Sequence, residues 1–197
     1  MPRTGLTQTE LRHAVLEALE ANVRRYGLER TRLVDVAKTL GVSHSALYKL
    51  FPDKQALLDE VSNRWLLHIE SELEKVLRRK IKASTKLREW IIGLHRLKLQ
   101  KVQADPELYS AFNMAASSQR PFVQRHLQVS RAQLETIVGQ GMEAGEFAKA
   151  DVKITAQTIF NATLAFHHPK LVLENLHKNR LTELNALLKA LLEGIGS

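Results

Sequence analysis

Apolar side chains recur along this chain every three to four residues, and nowhere do they alternate strictly with polar ones. The pattern therefore predicts helices almost throughout and no sheet, an all-α fold. From about residue 7 to 25, Leu11, Val15, Leu19 and Val23 share one stripe; Thr7 or Thr9 is placed to cap the start, and Gly27 follows the end. Residues 33–40 predict a short helix stopped by Gly41, and residues 44–50 a second with Ser43 as its N-cap. Pro52 interrupts the chain. Asp53 then caps a long helix to about residue 79, striped by Leu57, Val61, Trp65 or Leu66, Ile69 and Leu73. The next helix spans 84–103, with Leu87, Ile91, Leu94 and Leu97/Lys98 on its stripe. A short helix starts at Asp105-Pro106, and another runs from Pro121 to about Ala144, before Gly145. Residues 151–167 and 181–195 form the last two, with His168-Pro169 breaking the chain between them. The expected total is about nine helices, without an internal repeat of fixed period.

The segment from Val34 to Phe51 carries the chemistry. Two short helices flank Gly41-Val42-Ser43, which is helix-turn-helix spacing. Ala37 is small enough for the second helix to cross close over it. Gly41 sits where the turn needs a positive φ, which glycine adopts without a Cβ clash. Val42 fits between the helices, and Ser43 can both cap the second helix and offer a hydroxyl to a phosphate. Leu47 and Phe51 then face the core at i and i+4. That leaves His44, Ser45, Tyr48 and Lys49 on the open face, with groups that bond base edges or phosphates in a major groove. Two short helices with a Gly turn also occur in bundles that bind nothing. DNA binding is favoured here because the open face is polar and non-acidic. It is favoured further by Thr31 and Arg32 at the start of the first helix, where backbone N–H groups and a cation can clamp phosphate. Lys54 is similarly placed at the start of the next helix.

Charge strengthens this picture. The chain of 197 residues has a net charge of +8, with 29 Lys+Arg against 21 Asp+Glu. Residues 1–54 hold 9 basic and 6 acidic side chains, residues 55–104 hold 11 and 6, and residues 105–197 hold 9 of each. A basic first half and a neutral second half suggest a polyanion-facing N-terminal end and a body with another task. The cluster from Lys75 to Arg88 suits a helix C-terminus and the loop after it. There is no cysteine, which excludes disulfides, thiol catalysis and cysteine-held metals. No apolar run resembles a signal peptide or a membrane span, so a soluble cytoplasmic protein is expected.

Over about residues 11–66 the sequence resembles the TetR family of transcriptional regulators. The matching positions are Gly27, Val34-Asp35-Val36-Ala37, Gly41-Val42-Ser43, Leu47-Tyr48-Lys49-Leu50-Phe51, Lys54 and Leu57-Leu58. The resemblance implies a helix-turn-helix DNA-binding domain over 1–54 and a helical effector-binding and dimerisation domain over 55–197. It implies DNA contacts from Ser43, Ser45, Tyr48 and Lys49, with His44 beside them, Tyr48 on a phosphate and Lys54 as phosphate anchor at the long helix. Leu33 departs from the family's usual Thr or Ser, so Thr31 or Arg32 would substitute. Leu50 replaces a common His or Tyr and is expected to pack instead.

The resemblance also implies that the C-terminal helices bind a small molecule and form a homodimer. Broad apolar stripes on the last two helices agree, with Leu181, Leu184, Leu188, Leu191, Leu192 and Ile195 on one and Ile159, Ala162 and Phe166 on the other. Candidate pocket residues are Trp65, Trp90, Leu94, His95, Tyr109, Phe112, Asn113, Phe160 and Asn161, with His68, Met114 and His167 also considered. Their apolar bias favours a hydrophobic or aromatic effector over a charged one. The eight histidines show no metal-ligand spacing. Adjacent His167 and His168 point about 100° apart on a helix, and no His-Glu-x-x-His occurs. Gly139 and Gly141 lie inside a helical stretch and form no dinucleotide loop. No nucleophile–base arrangement, cofactor motif or catalytic set is visible. The expected function is sequence-specific regulation of transcription, by a repressor released from a palindromic operator by an effector. The alternatives are a helical interaction protein, or a DNA-binding regulator controlled by a protein partner.

Overall fold

The computed structural model describes residues 5–196. Ten α-helices follow in order: α1 (Gln8–Tyr26), α2 (Leu33–Thr39), α3 (His44–Leu50), α4 (Lys54–Leu77), α5 (Ala83–Ala104), α6 (Pro106–Ser117), α7 (Pro121–Glu143), α8 (Val152–Ala162), α9 (Pro169–Glu174) and α10 (Leu181–Ile195). No strand forms among the described residues; an isolated antiparallel bridge joins Phe147 to Gly196.

Most helix starts follow local rules. Thr7 and Glu10 form a reciprocal capping box on α1. Asp53 accepts from the Ala56 N–H at 2.7 Å and opens α4. Asp151 does the same for α8, from Ile154 at 2.8 Å. Two expectations at the C-terminal end change. The helix expected to reach residue 167 stops at Ala162, where the Thr163 hydroxyl donates back to the carbonyls of Ile159 and Phe160 and a single 3-10 turn, Leu164–Phe166, follows. Pro169, expected only to break the chain, instead begins α9, because a helix's first residue has no intrahelical use for the N–H that proline lacks.

Two apolar cores form. The first joins α1, α2, α3 and the first two turns of α4 around Val15, Leu19, Val36, Leu47, Phe51 and Leu57, and takes Leu108 and Ala111 from α6. The second lies among α4 to α10 around Leu66, Ile69, Leu87, Trp90, Tyr109, Phe112 and Leu134. Each buried Leu or Phe contributes on the order of 1.5–3 kcal/mol. The changeover falls within α4, between Val61 and Leu66, so α4 is one rod shared by both cores. In α7 the backbone at Gly141 approaches the Phe147 ring so closely that a Cβ there would overlap it.

Candidate nucleic-acid interface and the C-terminal interior

The α2–α3 unit is built as its residue types require. Gly41 has φ +65°, and its turn is closed by N–H bonds from Gly41 to the Lys38 carbonyl and from Val42 to the Ala37 carbonyl, at 3.2 and 3.1 Å. Ser43 Oγ accepts from the Ala46 N–H at 3.2 Å and starts α3. Leu47 and Phe51 lie in the core, with the Arg12 guanidinium 4.5 Å from the centre of the Phe51 ring. Ala37 is buried where the helices meet, and Leu50 is half-buried against the same core.

The opposite face of α3 points outward. Ser43, His44, Ser45, Tyr48 and Lys49 are all exposed, and so is Arg32 ahead of α2. Tyr48 is 42% exposed, and its ring meets that of His44 edge-on at 4.5 Å. The hydroxyls of Ser43 and Ser45 lie 3.2 Å apart. One open surface therefore carries hydroxyl, imidazole, phenol and ammonium groups, the set that meets bases and phosphates.

Thr31 and Lys54 are placed otherwise than expected. Thr31 is 3% exposed and its hydroxyl donates to the Gly27 carbonyl at 2.8 Å. Lys54 is half-buried and its ammonium donates to the Leu28 carbonyl; burial lowers its pKa, against the opposing pull of Glu29. From α6, the Glu107 carboxylate accepts the Leu28 N–H at 2.9 Å. The loop leading into α2 is thus held by Thr31 and Lys54 from its own domain and by Glu107 from the body.

Other ties cross the same seam. Arg24 of α1 grips Asp105 with Nε and Nη2, and Lys101 meets the same carboxylate at 2.8 Å. The Arg24 hydrogen bonds outweigh burial and hold the Asp105 carboxyl down at about 2. Arg64 of α4 pairs with Glu20 of α1. Asp59 in the first half of α4 accepts from Arg120 Nε, just ahead of α7, at 2.8 Å.

The interior of the body gathers some of the expected pocket residues and scatters others. Trp65 meets Phe112 and Tyr109 edge-on, at ring distances of 4.9 and 5.7 Å, so these three form one aromatic layer. Leu94 is buried in the same core. Phe160 lies 4.5 Å from the ring of His167. Trp90 donates Nε1–H to Gln133 at 2.9 Å, and His95 bonds the Phe166 carbonyl through Nδ1 at 2.8 Å; both ties join helices to one another. Asn113 is half-buried. Asn161 is exposed and bonded to Gln157 at 2.7 Å, outside the interior, because α8 turns it to the surface.

Sequence reasoning missed the polar groups of this interior. Glu70 accepts from Arg125 at 3.0 Å and from buried His126 at 2.9 Å. Burial pushes Glu70 up, but these two partners outweigh it and keep it ionised; burial holds His126 below its ordinary pKa, as a neutral donor. Lys98 is buried in full, with its ammonium on the His167 carbonyl at 2.8 Å. Its position four residues after Leu94 on the apolar stripe of α5 was the available signal.

A helix-turn-helix head with an open polar recognition face, carried on an all-helical body, defines a DNA-binding transcriptional regulator. Residues 15–61 match the family model for bacterial regulatory proteins of the tetR family, and residues 83–188 match that for the tetracyclin repressor-like C-terminal domain. The chain belongs to the TetR family. No curated protein matches it. A solved structure of a protein of unknown function from Rhodococcus sp. RHA1 is 23% identical, with a TM-score of 0.69 over 95% of this chain and 96% of that one. A TetR/AcrR-family regulator from Thermobifida fusca YX-ER1 is 14% identical, with a TM-score of 0.68 over 94% and 98%. The regulator FadR from Bacillus subtilis, in complex with stearoyl-CoA, is 19% identical, with a TM-score of 0.68 over 93% and 98%. Among the described residues, no helix is long and apolar enough to cross a membrane.

Proposed function

We propose that the protein is a cytoplasmic homodimeric repressor that binds a near-palindromic operator and releases it when a small molecule enters the C-terminal body. The observation that carries this is the exposed face of α3, where five polar, non-acidic side chains stand together on a rigid, capped helix. Ser43, His44, Ser45, Tyr48 and Lys49 contact DNA, with Arg32 on the flanking phosphates. Thr31 and Lys54 shape the loop that presents α2. Two copies of α3 enter successive major grooves about 34–36 Å apart.

The second copy covers α8 and α10. Ile154 of α8 is 68% exposed, and α10 buries only Leu184 and Leu188 while Leu181, Leu187, Leu191, Leu192 and Ile195 stay half-buried. That apolar surface suits a four-helix contact across a two-fold axis. The FadR structure with stearoyl-CoA supports a ligand-responsive body of this fold. An effector acts only if it binds the released conformation more tightly than the DNA-bound one. The ties from Asp105, just ahead of α6, to Arg24 and from Glu107 of α6 to the Leu28 N–H are the route by which the body moves the head.

The test is selection of bound duplexes from a random library at physiological salt, with Tyr48→Ala in parallel. Tyr48 is exposed, so the variant keeps its fold. The expected result is a near-palindromic motif whose affinity falls by about 1–3 kcal/mol in the variant. Weak, salt-sensitive binding without a motif, equal in both proteins, refutes it.

A further inference from the structure

Lys98 is 4% exposed, and its ammonium makes one hydrogen bond, to the His167 carbonyl at 2.8 Å. It also lies 5.6 Å from the centre of the Phe112 ring. Among the described residues no carboxylate pairs with it; the buried carboxylates Glu70 and Asp105 are taken by Arg125 and His126 and by Arg24 and Lys101. A buried ammonium normally has an anion and a full set of acceptors, since leaving either out costs several kcal/mol. Its surroundings are instead rings and imidazoles. Burial pushes its pKa down to about 7. Burial first, and then the Lys98 charge, pushes His167 down to about 3.

Two further buried donors of this interior have no partner. The Tyr109 hydroxyl is fully buried and unbonded, on a ring 5.7 Å from that of Phe112. Arg131 Nε is buried and unbonded, with its guanidinium 5.8 Å from the centre of the Phe160 ring, which in turn packs on His167. Unsatisfied buried donors are rare in native proteins, and Lys98 and Tyr109, which both pack on the Phe112 ring, leave donors free for an anion. The same interior holds the rings of Trp65, Phe112 and Phe160, which would suit an apolar body.

We propose that Lys98 is the anchor of the effector site and that the effector is a carboxylic acid on an apolar or aromatic body, its carboxylate taking the free donors of Lys98 and the Tyr109 hydroxyl. This rests on the regulator reading above and narrows it, from the hydrophobic effector expected on composition to an amphipathic anion. The lysine is the functional residue here, since an uncompensated buried charge does nothing for stability in the free protein.

The test pairs acids with matched neutral alcohols: decanoate against decanol, and 4-phenylbutyrate against 4-phenylbutanol. Melting temperature and operator affinity are read for wild type and for Lys98→Met, with Tyr109→Phe as a second variant. The expected result is that at least one acid raises the wild-type melting temperature by several degrees at millimolar concentration, its alcohol does not, and Lys98→Met abolishes the shift. Ligand-free Lys98→Met melts at or above wild type; melting well below it shows a structural lysine and overturns the assignment. Alcohols matching the acids, an acid shift retained in Lys98→Met, or no response to any probe overturns it as well. The two levels fail separately. An acid that binds through Lys98 without changing operator affinity sinks effector control and leaves the anchor standing. An alcohol that alone releases operator sinks the anchor and leaves effector control standing.

Discussion

Asp105→Asn tests the joint between head and body. Asp105 is 7% exposed and receives both Arg24 nitrogens and Lys101, while Arg24 itself is half exposed. Its carboxyl is held at about 2 against an ordinary 3.8, with the Arg24 hydrogen bonds as the largest cause. At about 1.4 kcal/mol per pH unit, that gap corresponds to roughly 2.5 kcal/mol in favour of the folded state. Solvent around Arg24 screens the pair, so the expected loss in Asp105→Asn is about 1–2 kcal/mol at pH 7. The sign follows from the depressed pKa. The contribution is fully present above 3.8 and is lost as pH falls from there through about 2. Urea unfolding of both proteins at a series of pH values measures it, the midpoint difference multiplied by a common slope giving the gap. The gap should be constant from pH 7 to about 5 and narrow steadily below about 4, because a protonated aspartic acid and an asparagine carry the same charge. Other carboxylates titrate in that range too, but they do so in both proteins and cancel. No gap at pH 7, or a gap that persists unchanged at pH 3, would refute the account of this joint.

Gly141→Ala should destabilise by about 1–3 kcal/mol, because the new Cβ meets the buried Phe147 ring. Gly139→Ala, whose Cβ would meet only Val152 at 4.0 Å, should be neutral or stabilising by up to about 1 kcal/mol; thermal melts of the pair decide it, and equal effects count against the packing argument. Ile154→Glu should shift the protein towards monomer in analytical ultracentrifugation without lowering helix content, and an unchanged dimer would remove α8 from the interface.

Much of this molecule follows from short-range rules. Thr7, Ser43, Asp53 and Asp151 cap the helices that follow them, and Gly41 makes the one turn that the recognition unit needs, because an N–H three residues away or a positive φ is a local requirement. The stripe of α4 was legible for the same reason, and so was the open face of α3. Where two local signals competed, sequence reasoning was less complete. Pro169 breaks one helix and starts another, and Thr163 ends α8 by bonding its own preceding turn.

Burial was another matter, because it depends on partners far along the chain. Thr31 and Lys54 looked like phosphate contacts from their positions at helix starts. In the fold the Thr31 hydroxyl bonds the Gly27 carbonyl and the Lys54 ammonium the Leu28 carbonyl, while Glu107, 79 residues from Leu28, closes on the same loop. Asn161 and Phe160 are neighbours in sequence, yet α8 sends one to solvent and the other into the interior. Lys98 stood on an apolar stripe, and only the tertiary structure shows that it is sealed there without a carboxylate. The helices and the open face of α3 are written in the chain locally, since periodicity, caps and turns act within a few residues. Which polar groups are buried and which stand in solvent comes from packing among helices far apart in the chain, since desolvation and pairing depend on it.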